Sequence, residues 1–271
     1  MSFESKNGLV VADTFNNDND GIILALTCKN KNFSKSETLN NLADTILLNA
    51  MRQLPTSISE VLNMEITENK HHHKNCDFIE DAIKQTETLA KEEIRIDFYH
   101  LVRNTVGRDY LRVVAKVNSF NDTAIIMTFG GQGMSPASVY RNETINKIEP
   151  VIEQALVTDP LCVRFYHTGE SIETFLYNYF KEKFIEKGHA YYYDVITGQI
   201  KRCEISDERN LAKAIDQKIL EFRSLYVLED QPFPMLKDLS KDEKIKINVL
   251  QHLANYGVWI QEEFTRYSLK S

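Results

Sequence analysis

Leu9-Val10-Val11-Ala12-Asp13-Thr14-Phe15-Asn16-Asn17-Asp18-Asn19-Asp20-Gly21-Ile22-Ile23-Leu24-Ala25-Leu26-Thr27-Cys28 decides the fold. Two apolar, β-branched runs flank a segment of Asn, Asp and Gly, the residues that tolerate the tight backbone of a turn. The spacing predicts a β-hairpin over 9–28. Leu111 to Val117 and Ala124 to Phe129 repeat the pattern around Ser119-Phe120-Asn121-Asp122. His189 to Val195 and Gln199 to Ile205 repeat it again around Ile196-Thr197-Gly198. Ile94, Ile96 and Phe98 alternate with charged residues, as in a half-buried strand. Leu161 to Tyr166 reads as one more strand.

Between the hairpins the period changes. Leu39, Leu42, Ile46, Leu47, Ala50 and Leu54 recur at three and four, which predicts a helix from Ser36 that Pro55 ends. Further helices are expected over 77–93, 136–156, 171–187 and 207–222, with Ser135 and Pro136 as starting residues of the second of these. A long helix is expected over about 240–264, followed by a flexible tail, 265–271. Helices interleave with antiparallel hairpins without a βαβ rhythm. The fold class is therefore α+β, an antiparallel sheet packed by helices, expected as a single domain over 1–271.

The chain has 271 residues, 42% hydrophobic and 26% charged, which excludes a disordered or fibrous protein. No apolar run approaches the roughly 20 residues that span a bilayer, and Met1 to Lys6 lacks a basic-then-apolar leader. Thirty-two basic against thirty-nine acidic residues gives −7, which argues against a general nucleic-acid partner, because phosphate binding needs positive charge. Cys28, Cys76, Cys162 and Cys203 lie far apart with no Cys-x-x-Cys pair, so four thiols are expected rather than a disulfide frame.

Several segments carry residue types that do chemistry. Asn16 to Gly21 has the alternating oxygens of a calcium loop, but Thr27 stands where the bidentate Glu belongs, so a solvated turn is the reading. His71-His72-His73 beside Cys76 lacks a second ligand pair, and no metal is expected. Gly130-Gly131-Gln132-Gly133 sits between a strand and a helix, where free backbone N–H groups bind anions. It lacks the Gly-Lys-Ser/Thr of a P-loop, so it is a weak anion-binding candidate beside a tight structural turn. Phe175, Tyr179, Phe180 and Phe184 have helical spacing and read as core.

Cys76 stands at the start of the expected 77–93 helix, where a helix N-terminus favours the thiolate. Gly188-His189-Ala190 looks like the histidine motif of papain-like thiol hydrolases. That resemblance implies Cys76 as nucleophile and His189 as base, acting without a cofactor. Asp194 lies at an odd offset on the His189 strand and so on the opposite face, leaving Asp207 as the orienting carboxylate. Cys203 is the rival nucleophile, because a three-residue turn would place it diagonally across from His189. Val163 to Glu170, with His167-Thr168-Gly169, looks like the His-Gly-Thr strand of poly-ADP-ribosyltransferases in altered order. This alternative implies an NAD-using enzyme with Tyr192 or Tyr193 as the family tyrosine.

Finally, Glu262-Glu263, a polar Ser/Thr-containing tail and Leu269 third from the end resemble the C-terminal signal of Dot/Icm-type type IV secretion effectors. The resemblance implies a virulence protein, held in the bacterial cytoplasm before secretion and then in the host cytoplasm, with a host protein as partner. Its enzymatic form is a thiol hydrolase or acyl-transfer enzyme on a host protein. Its alternative form is a non-catalytic effector that binds one.

Overall fold

The computed structural model describes residues 6–68, 76–104, 111–135, 138, 141–158, 160–161, 170–231 and 248–269. In chain order the main elements are β1 (Asn7–Phe15), β2 (Asp20–Cys28), α1 (Glu37–Gln53), α2 (Ile58–Leu62), α3 (Ile79–Ala90), β3 (Ile94–Arg103), β4 (Leu111–Val117), β5 (Thr123–Gly131) and α4 (Arg141–Thr158). Then follow α5 (Glu170–Lys187), β6 (His189–Asp194), β7 (Gln199–Glu204), α6 (Glu208–Tyr226), α7 (Val249–Ala254) and β8 (Val258–Ser268). All named strand pairs are antiparallel. The class is α+β, as the hairpin patterns predict.

Where one domain is expected, the chain divides into two compact units, Met1–Val157 with Tyr256–Ser271, and Thr158–Asn255. In the first unit, two three-stranded sheets, β1-β2-β3 and β4-β5-β8, pack face to face. β2 is buried on both faces, which is why its sequence is a continuous apolar run. Ile22, Leu24 and Leu26 join Leu39, Leu42, Ile46, Ile79 and Ala82 of α1 and α3 on one side. Ile23 and Ala25 meet Val113, Ala124 and Ile126 of the second sheet on the other. Each fully buried Leu or Ile contributes about 1.5–3 kcal/mol relative to exposure. On the outer face of the second sheet lies α4, tied there by Lys116 of β4, whose ammonium bonds Glu149 and Glu153 at 2.8 Å each. The result is four layers, helix, sheet, sheet, helix.

Local signals account for the ends of elements. The Ser36 hydroxyl accepts from the Leu39 N–H at 3.2 Å, and α1 stops at Leu54, which turns left-handed (φ 54°) before Pro55. The β1–β2 turn takes Asn16, Asn17 and Asp18 through φ of 53°, 55° and 61°, the region Asn and Asp tolerate best among side-chain-bearing residues. Its oxygens are engaged within the fold. Asn19 Oδ1 accepts from Arg112 at 3.0 Å, and Asp20 Oδ1 accepts from the Asn104 N–H at 3.2 Å.

The C-terminal segment corrects the sequence reading. In place of a helix reaching 264 and a flexible tail, α7 ends at Ala254, Gly257 turns the chain at φ 62°, and β8 runs to Ser268 against β5. Val258, Trp259, Ile260, Phe264, Thr265 and Tyr267 are β-formers, and pairing with the buried β5 outweighs their helix-compatible spacing. Leu269, assigned to the tail, is 2% exposed between the sheets, and the Tyr267 ring stacks on Phe98 at 4.6 Å. Of the expected strand Leu161 to Tyr166, Leu161 alone is described; residues 162–166, with Cys162, the Pro136 helix start and the part of the helix over 240–247 lie outside the described residues.

In the second unit, α5 and α6 pack with the β6–β7 hairpin. The core there is Leu176, Phe184, Ala190, Tyr192, Cys203, Leu211, Ala214, Ile215, Ile219 and Val227. Of the aromatic stripe read as core, Phe184 is buried and Phe180 packs beside it, whereas Phe175 and Tyr179 stack on each other at the surface.

Candidate functional site

Cys76 stands three residues before the first residue of α3, not at the helix start. The cause is a short antiparallel bridge, Glu65 with Phe78, in which the Ile66 N–H donates to Asp77 and the Ile79 N–H to Met64. It keeps 77–78 extended, and the field of a helix end fades within its terminal turn. The half-buried thiol donates to Gln85 Oε1 at 3.5 Å. Burial, then the carboxylates of Asp81 and Asp77, push its pKa above the ordinary thiol value. A nucleophilic cysteine needs the opposite surroundings. At neutral pH Cys76 should therefore react with iodoacetamide more slowly than an unstructured cysteine peptide. Asp81→Asn should speed it, and a wild-type rate above the peptide's would contradict this assignment.

His189 and Asp207 belong to the second unit, and Cys76 to the first. His189 opens β6, and its ring meets Tyr191 edge-on at 5.2 Å. Asp207 caps α6. Its Oδ1 accepts from the Asn210 N–H at 3.2 Å and its Oδ2 from the Asn210 side chain at 2.7 Å. These two bonds hold its pKa below the usual carboxylate range. The carboxylate offered as an orienter thus completes a helix end.

Cys203 requires a correction. Asp194 pairs with Gln199, so the hairpin closes through four residues, 195–198, rather than three. That single residue reverses the parity: Cys203 faces Ala190, while His189 faces Glu204. Cys203 therefore projects into the core, 5% exposed, with its thiol pKa raised first by burial, and His189 lies on the other side of the ribbon. Tyr192 shares the inward face, 8% exposed beneath the Lys213 ammonium, whereas Tyr193 faces out. His167 and the rest of 162–169 lie outside the described residues, as do His71, His72 and His73.

The glycine string serves packing. A Cβ on Gly130 would meet the Trp259 ring at 2.3 Å, one on Gly131 the Gly257 carbonyl at 2.7 Å, and one on Gly133 the Thr144 hydroxyl at 2.5 Å. Gly130 and Gly131 are paired β5 residues, and Gln132 and Gly133 begin a single 3₁₀ turn. Among the described residues, no group of three or more His, Cys, Asp or Glu side chains is placed to hold a metal ion. No helix of the described residues is long and apolar enough to cross a membrane.

Sequence reasoning missed a surface. The outward face of β6–β7 carries Tyr191, Tyr193 and Ile200, which are 52%, 49% and 74% exposed, and Val195 and Ile196 protrude from its turn. A visible signal exists. The run His-Ala-Tyr-Tyr-Tyr-Asp is apolar on both faces, and Val-Ile occupies a turn where polar residues are usual. The inward face also carries an ion pair, Asp194 with Lys201. That bond, then one from the Ile196 N–H, lowers the Asp194 pKa to about 2. Because the folded value is depressed, its stabilising contribution is present above the ordinary carboxylate pKa and disappears as pH falls toward about 2. An NMR titration should place the Asp194 carboxyl midpoint near that value and return it to the ordinary range in Lys201→Met. An unshifted wild-type midpoint would remove the pair. No protein-family model matches the chain, and no curated protein sequence matches it.

Proposed function

We propose that the chain is an injected-effector-type protein that works by binding a host protein, with the outward face of β6–β7 as its contact surface. One observation carries the reading: two tyrosines and an isoleucine stand side by side on a sheet face open to solvent, continuous with an apolar turn. Exposed apolar clusters of this kind mark interaction sites, and tyrosine is among the residues that dominate binding energy. The rim adds Arg202 and Glu204 on the same face, which supply polar complementarity.

The edge of β6 supports face-on rather than edge-on contact. The Gln217 side chain donates to the Tyr193 carbonyl at 2.7 Å and accepts from its N–H at 2.6 Å, occupying the place of a neighbouring strand. The effector setting is supported by the similarity of 261–271 to secretion signals. The thiol-hydrolase form has less support, because Cys76 and Cys203 both sit where the thiol is favoured over the thiolate. The test is affinity capture from host cytosol by the wild-type chain and by a Tyr191→Thr, Tyr193→Thr, Ile200→Thr variant. A partner retained by the first and lost from the second is expected, and equal retention would end the proposal.

A further inference from the structure

We propose that the partner segment lying on the β6–β7 face is proline-rich and docks as a polyproline II helix. The proposal rests on the reading of that ribbon as a protein contact face and names the chemistry of what it holds. The antiparallel register puts His189, Tyr191 and Tyr193 of β6 on the outward side, opposite Glu204, Arg202 and Ile200 of β7. Residues two apart on a strand are separated by about 6.8 Å, so the three rings of β6 form a ladder with a slot between the tyrosines. The His189 ring stands at 90° to Tyr191 with centroids 5.2 Å apart, which braces Tyr191 as one wall of that slot.

The dimensions of the ribbon select an extended ligand. Its two strands lie about 4.8 Å apart, whereas an α-helix with its side chains is about 10–12 Å across and would overhang on both sides. β6 has six residues, a length that about six to seven residues of polyproline II cover at roughly 3.1 Å each. Strand addition is disfavoured at both edges. Gln217 occupies the N–H and the carbonyl of Tyr193 on β6, and β7 carries Lys201 and Arg202, charges that blunt edge pairing.

An extended chain lying on the face turns part of its backbone toward the tyrosine rings. Any N–H placed there loses its water and gains no carbonyl. Proline has no N–H to lose. Its carbonyls have no internal partner in the polyproline II form, and the Tyr191 and Tyr193 hydroxyls are donors for them. Charge points the same way. Arg202 and Glu204, the charged residues of the outward register positions, pair with each other at 3.5 Å. The face therefore selects by rings and hydroxyls rather than by charge. A proline-rich segment is also ordered before it binds, so docking costs little conformational entropy, and aromatic-lined surfaces recognise such segments on that basis.

NMR titration of the isotope-labelled full chain with a decaproline peptide tests the inference, with a Gly-Ser peptide of the same length as control. Decaproline should bind saturably and shift amides within 189–204, and the Gly-Ser peptide should not. Tyr191→Thr with Tyr193→Thr should weaken decaproline by about tenfold or more. Both side chains face solvent, so an unchanged circular dichroism spectrum verifies folding of the variant. Absence of saturable decaproline binding would overturn the inference. So would equal binding of the Gly-Ser peptide, or unchanged decaproline affinity in the threonine variant. Capture of a host protein by wild type and its loss from the face variant, without decaproline binding, would overturn this inference alone and leave the contact-face reading standing.

Discussion

A chain ending at Ser268 should unfold well below the temperature of the full chain. Leu269 is 2% exposed in the core between the two sheets, beside Val10, Ala124 and Ile126. Its N–H donates to the Asp122 carbonyl and its own carbonyl accepts from Lys6 N–H, so it ties the end of β8 to β1 and to the β4–β5 turn. Emptying such a position costs about 2–5 kcal/mol, a large part of the roughly 5–15 kcal/mol that holds a domain folded. Leu269→Ala in the full chain should reproduce most of the loss. Thermal denaturation of the three chains checks this, and coincident curves for the Ser268-terminated and full chains would contradict the placement. The result also governs how the secretion similarity is tested. Removing Leu269 would confound delivery with unfolding, so the informative variant is Glu262→Gln with Glu263→Gln in the otherwise intact chain.

The second large effect is expected in binding. Tyr191, Tyr193 and Ile200 project away from the core of the second unit, so threonine at all three positions keeps strand propensity while removing the apolar surface. Interface tyrosines that anchor a partner cost about 2 kcal/mol or more each when truncated. Affinity for the partner should therefore fall by about 100-fold or more. The inward neighbour behaves differently. Tyr192→Thr should lower the stability of the second unit, because that ring packs in its core beneath Lys213. Circular dichroism separates the two cases.

Much of the fold is legible in the sequence because two physical signals coincide. In 9–28 the apolar runs and the Asn/Asp turn point to the same hairpin, and Ser36 with Pro55 brackets α1 from both ends. The C-terminal strand is hidden because Val258, Ile260 and Phe264 continue the apolar spacing begun by Val249, Leu250 and Leu253 and so fit either period. Only the Gly257 turn and the partner β5, distant in sequence, decide for the strand. The site residues are less legible for a related reason. Which face Cys203 occupies depends on one residue of turn length, and whether Cys76 meets a helix end depends on the bridge from Glu65 to Phe78. Neither is a property of the local string. Asp207 likewise carries the residue type of an orienter and of a helix cap, and its bonds to Asn210 show the cap. The glycines 130, 131 and 133 read as a free loop, because the Trp259 ring, the Gly257 carbonyl and the Thr144 hydroxyl that press on them come from elsewhere in the chain.

Contact through β6–β7, rather than thiol chemistry, is the mode of action we propose for this chain. The most direct measurement is the equilibrium affinity for the captured host protein of three chains: wild type, Tyr191→Thr/Tyr193→Thr/Ile200→Thr, and Cys76→Ser/Cys203→Ser. The expected result is wild-type affinity for the cysteine variant and loss of about 100-fold or more for the face variant. Wild-type affinity in the face variant, or a comparable loss in the cysteine variant while it remains folded, would contradict it.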